Sequence, residues 1–122
     1  MAESLAAQRS APAPAQSALT ARFEAFVAAH LAEALTVAQI ASALAMSPTH
    51  LNRIIKDTTG LSVLRAVEAM RMRESCRQLA YTRRSIAEVG IAAGYPDPSY
   101  FSRAFQRHMG LSPRDYRRKL GG

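Results

Sequence analysis

The 122-residue sequence predicts an all-α protein, with seven helices arranged as two helix-turn-helix subdomains joined by a long linker helix. Composition is the first reason. Ala, Leu and Arg are abundant, aromatic residues make up only 7% and Trp is absent, which favours packed helices over a sheet sandwich or barrel. The second reason is a repeat. Pro48, Leu51, Arg53, Gly60, Leu61 and Ser62 return 50 positions later as Pro98, Phe101, Arg103, Gly110, Leu111 and Ser112. Upstream, at an offset of 49, Thr36, Val37, Gln39 and Ile40 answer to Ser85, Ile86, Glu88 and Val89. Each copy has the length of one helix-turn-helix unit.

The elements follow in order from capping chemistry and periodicity. Residues 1–18, rich in Ala, Pro and Ser with no sustained hydrophobic period, read as a flexible tail or interdomain linker. From Leu19 the apolar positions Phe23, Phe26, Val27 and Leu31 mark one face of a first helix. Thr36 with Gln39, and Ser85 with Glu88, form capping boxes that open short helices at about 37–45 and 86–93. Ser47 and Asp97 cap the next helices, with Pro48 and Pro98 at a first position where no amide donor is needed. Gly60 and Gly110 close them, near residues 58 and 108. Ser62 opens the longest helix, 62–80, free of Gly and Pro, and Ser112 opens the last, 113–120. The expected division is 19–61 for the first subdomain, 62–80 for the linker helix and 81–122 for the second subdomain.

Charge narrows the function. The net charge is +7, and residues 51–122 hold 14 Lys or Arg against 6 Asp or Glu, whereas residues 1–50 hold 2 against 3. The positive charge belongs to the repeated region, as expected for a polyanionic partner. Cys76 is the only cysteine, so intramolecular disulfides are excluded; it reads as a core thiol in a reducing, cytoplasmic setting. No apolar run approaches a membrane span. His30, His50 and His108 are dispersed, and there is no HExxH, phosphate-binding Gly-rich loop or nucleophile elbow, so no enzyme, cofactor or metal site is expected.

Close helix crossing in such a unit needs small residues in the first helix and apolar anchors in the second. Ile40, Ala41, Leu44, Leu51 and Ile54 meet this in the first copy, and Val89, Gly90, Ala93, Phe101 and Ala104 in the second. The opposite faces then carry groove-reading side chains. Thr49, His50, Asn52 and Arg53 are the base-reading candidates of the first copy, and Ser99, Ser102 and Arg103 those of the second. Arg bonds a guanine edge bidentately, Asn can do the same to adenine, and the Thr methyl meets a thymine methyl. Thr36, Lys56, Arg83, Arg84, Ser85, Gln106 and Arg107 are the phosphate candidates. A linker helix of 19 residues rises ~28 Å, close to the ~34 Å between successive major-groove faces, so adjacent grooves are within its span.

The second copy, IAEVGIAAGYPDPSYFSRAFQRHMGLSPRDYRR, closely resembles the signature of the AraC/XylS family of bacterial transcription regulators. The likeness extends from about Leu19 to Leu120, including HLAEALTVAQIASALAMSPTHLNRIIKDTTG and the Arg71, Met72, Cys76 and Leu79 pattern of the linker helix. It implies two homeodomain-like helix-turn-helix subdomains, binding to promoter DNA, and activation through contact with RNA polymerase. On the family pattern, base contacts fall on Thr49, Asn52 and Arg53, and on Pro98, Ser99, Ser102 and Arg103. Val63 and Ala66 stand where the family often has Pro and an aromatic residue. The family commonly carries an N-terminal ligand-binding domain, so the chain is expected to be the DNA-binding portion of a longer, effector-controlled protein or a small regulator in its own right. A helical module for an acidic protein partner is the competing reading, distinguished by weak salt dependence and indifference to duplex sequence.

Overall fold

The computed structural model of the protein describes residues 14–121. Among them it forms seven α-helices: α1 Pro14–Ala29, α2 Val37–Ala43, α3 Pro48–Thr59, α4 Val63–Tyr81, α5 Ile86–Ala92, α6 Pro98–Met109 and α7 Pro113–Gly121. The expected class and helix order hold. Both ends of α1 move: it starts at Pro14 rather than Leu19, so residues 14–18, expected as tail or linker, are helical, and it ends at Ala29, before Leu31. Pro at a helix start forfeits no hydrogen bond, and Ala15 and Ala18 are strong helix formers, so the missing apolar period did not prevent a helix. Residues 1–13 of the expected tail lie outside the described residues.

The chain divides into two compact units, with the boundary inside α4. The first holds the described residues up to His30 together with Leu35–Glu68. Its core is almost wholly aliphatic: Val27 of α1, Ile40 and Ala41 of α2, Leu51, Ile54 and Ile55 of α3, and Val63 and Val67 of α4, with Phe23 the one buried ring among its described residues. Each fully buried Leu, Ile or Val contributes about 1.5–3 kcal/mol, which makes this apolar set the main support of α3. The Thr20 and Thr58 hydroxyls, 2.9 Å apart, add a polar tie between α1 and the end of α3.

The second unit holds Leu31–Ala34 and the chain from Ala69 onward. Its core gathers Met72 and Leu79 of α4, Val89 of α5, and Phe101, Ala104 and Phe105 of α6. Rings run through it from Tyr95 to Phe101, Phe105 and Tyr116, at centroid spacings of 5.5, 5.9 and 5.5 Å. Gly90 lies where α5 crosses α6: a Cβ there would sit 2.8 Å from Cγ and Cδ2 of Phe101. The first copy has Ala41 and the smaller Leu51 at these places, so the larger ring and the smaller helix residue compensate. Half-buried Cys76 places its Sγ 4.0 Å from Sδ of Met109 and serves this core.

Arg71 closes the second unit from its other side. Its Nη1 donates to the Leu31 and Ala93 carbonyls at 2.9 and 2.8 Å, and its Nη2 to the Glu33 carbonyl at 3.1 Å. The guanidinium also lies 5.7 Å from the Tyr95 ring centre. Gly94, with φ of 98°, turns the chain beneath it, and a Cβ at that position would overlap the guanidinium. No helix among the described residues is long and apolar enough to cross a membrane.

Candidate nucleic-acid interface

Two helices, one per unit, display the polar faces that the repeat foretold. In α3, Ser47 Oγ accepts from His50 N at 3.2 Å, Pro48 occupies the first turn, and Gly60, with φ of 79°, ends the helix by donating to the Lys56 carbonyl. Burial of Leu51, Ile54 and Ile55 turns Thr49, His50, Arg53 and Lys56 outward. In α6, Asp97 Oδ1 accepts from Ser99 N at 3.0 Å and Gly110, with φ of 86°, closes the helix. Phe101, Ala104 and Phe105 anchor it, and Ser99, Arg103, Gln106 and Arg107 are exposed.

The two faces differ in detail. Arg53 Nη2 donates to Nδ1 of His50 at 2.8 Å, so the imidazole holds the guanidinium one turn along the exposed face. Tyr100 takes the place of His50 in the second copy, and Arg103 makes no hydrogen bond or ion pair among the described residues. Asn52 and Ser102 are both half-buried rather than fully outward. Asn52 is also engaged: its Oδ1 accepts from Val63 N at 3.0 Å. Pro98 stands at the first turn of α6 and exposes an edge without a donor.

Both capping boxes form. Thr36 N donates to Gln39 Oε1 at 2.9 Å while Gln39 N donates to Thr36 Oγ1 at 3.1 Å. Ser85 and Glu88 repeat the pattern at 2.8 and 3.1 Å. The Ser85 backbone N–H holds the Glu88 carboxyl below the usual carboxylate range. The first copy therefore presents a neutral box to an approaching anion and the second a charged one. Arg83 and Arg84 are exposed in the turn before α5.

A basic cluster beside that turn escaped the site residues expected from sequence. Arg114, Arg117 and Arg118 of α7 line a groove with Thr82 and Arg83. Arg117 Nε and Nη2 donate to the Leu79 and Thr82 carbonyls at 3.1 and 3.3 Å, which ties α7 to the end of α4. The signal was present in the run PRDYRRK, whose basic residues at positions 114, 117 and 118 share one helix face.

A helix-turn-helix domain family matches residues 40–119. The arabinose operon regulatory protein of Escherichia coli (strain K12) is 34% identical over 93 residues, 75% of this chain and 32% of that protein. The chain belongs to the AraC family of transcription regulators. Among solved structures, the C-terminal domain of AraT, a response regulator from Geobacillus stearothermophilus, superposes with a TM-score of 0.77 at 33% identity, covering 83% of this chain and 84% of that one. The DNA-binding domain of AdpA, a global transcriptional factor solved in complex with a target DNA, gives 0.75 at 28% identity, covering 81% and 89%. The chain spans about a third of the length of the curated AraC-family relatives it matches. Likeness to this family accounts for both AraC-type units, since the matched segment runs from α2 into α7.

Proposed function

We propose that this chain binds double-stranded promoter DNA sequence-specifically, inserting α3 and α6 into adjacent major grooves. The observation that carries the reading is the pair of capped helices, each anchored by three buried residues and each presenting an exposed arginine, Arg53 or Arg103, at the same place. Base reading is assigned to Thr49, His50, Asn52 and Arg53 in the first subdomain, 19–61, and to Ser99, Ser102 and Arg103 in the second, 81–122. Lys56, Arg83, Arg84, Gln106 and Arg107 hold phosphates, with the Thr36 and Ser85 hydroxyls at the starts of α2 and α5. The reading of adjacent grooves is supported by the length of α4, 19 residues or ~28 Å of helix.

The role is that of a binding protein rather than an enzyme, acting in the cytoplasm on the nucleoid, with RNA polymerase as the partner in activation. In a longer native chain, an effector-binding domain would control it. Selection of bound duplexes from a random pool, followed by titration in rising salt, tests the reading. The expected result is an enriched motif and an affinity that falls steeply with salt; equal retention of all duplexes would overturn it.

A further inference from the structure

Val63 and Pro113 occupy the same place in the two copies, the first residue of the helix that follows each recognition helix. They differ in one hydrogen-bonding atom. The first amides of a helix have no partner within it. Ser62 and Ser112 each satisfy one, accepting from Arg65 N at 3.3 Å and from Asp115 N at 3.1 Å. Pro113 brings no amide of its own, whereas Val63 does, and Val63 is fully buried. An unpartnered N–H there would carry its whole desolvation penalty. Asn52 removes it: Oδ1 accepts from Val63 N at 3.0 Å, eleven residues along the chain. In the second copy Ser102 stands in Asn52's place, opposite a proline that needs no acceptor. Asn52 with Val63 and Ser102 with Pro113 are matched pairs.

The bond has a consequence for recognition. A carboxamide selects adenine by using both ends, Oδ1 accepting from N6 and Nδ2 donating to N7. Here one lone pair of Oδ1 is taken by the Val63 N–H, which fixes the orientation of the carboxamide, and Nδ2 has no hydrogen-bond partner among the described residues. We propose that Asn52 reads its base as a donor, so that its position in the operator favours guanine or thymine, whose O6 or O4 accepts, over adenine, of which only N7 would then be bonded. The inference rests on the DNA-reading role proposed for α3.

The test compares duplexes selected from a random pool by the wild-type chain, Val63→Pro and Val63→Ala. Proline is well tolerated in the first turn of a helix, and Pro113 is fully buried in that very role. Val63→Ala loses packing but keeps the amide. The wild-type chain and Val63→Ala are expected to enrich guanine or thymine at one position, and Val63→Pro, with Oδ1 released, to shift that position toward adenine by about tenfold. In thermal unfolding, Asn52→Ala should lower the midpoint by about 5 °C in the wild-type background and much less in the Val63→Pro background. Adenine already enriched by the wild-type chain, a motif unchanged by Val63→Pro, or equal midpoint losses in both backgrounds would each overturn the inference alone. A pool from which the wild-type chain enriches nothing would overturn the DNA reading and the inference with it.

Discussion

Arg53 and Arg103 share a position but not a setting. The Arg53 guanidinium rests on Nδ1 of His50 at 2.8 Å, whereas Arg103 has Tyr100 where that imidazole would be. A side chain already held gives up less rotamer freedom on binding, so Arg53 should contribute the larger share of base discrimination. Arg53→Ala is expected to cost ~1–3 kcal/mol on the cognate duplex and to relax selection at one base pair. An unchanged ratio of cognate to random affinity would remove Arg53 from the base-reading set. Lys56→Ala should instead weaken all duplexes alike and lower the salt slope by about one, read from binding isotherms at several salt concentrations. The exposure of both side chains was legible because the repeat sets outward residues against buried anchors. The Asn52–Val63 bond was not legible, since it joins residues eleven apart through the placement of α3 against the first turn of α4.

At the scale of the element, local chemistry wrote the helix starts plainly. Capping boxes at Thr36 and Ser85, and proline at positions 48, 98 and 113, place five of the seven starts to within a residue. The start of α1 was hidden because Pro14 and its alanines carry no apolar period, and Leu19 was the first residue that did. The turn before each recognition helix shows a further difference between the copies. Gly94 turns with φ of 98°, and its counterpart Ala45 turns with φ of 59°. Alanine in the left-handed region costs roughly 1 kcal/mol, so Ala45→Gly should raise stability by about 0.5–1 kcal/mol in urea denaturation. Gly90→Ala should do the reverse. Its better helix propensity is worth about 1 kcal/mol, but the new Cβ meets the ring of Phe101 at 2.8 Å, and overpacking of about 1–3 kcal/mol decides the sign. Gain of stability in that variant would mean that α5 and α6 can part at no cost.

Across the whole molecule, the copies keep a common scaffold and diverge in what they hold out. One core is mainly aliphatic and the other threaded by rings, yet each supports a twelve-residue recognition helix closed by a left-handed glycine. Different faces on equivalent scaffolds should give an asymmetric operator. Duplex selection is expected to return two unlike elements about one helical turn apart, and Arg103→Ala should blur only the second. A single short element, unaffected by that substitution, would confine base reading to the first unit.

Arg71 adds a constraint on how such a protein can be taken apart. The three carbonyls it binds include those of Leu31 and Glu33, which precede α2 in the chain yet belong to the second unit. The path therefore leaves the first unit at Leu31, returns at Leu35, and leaves again within α4. No single cut separates the halves: a fragment beginning at Ala69 would keep the guanidinium and lose two of its three acceptors. The second unit is discontinuous along the chain, and a designer who wishes to exchange it for another must carry the four residues Leu31–Ala34, which precede α2, with it.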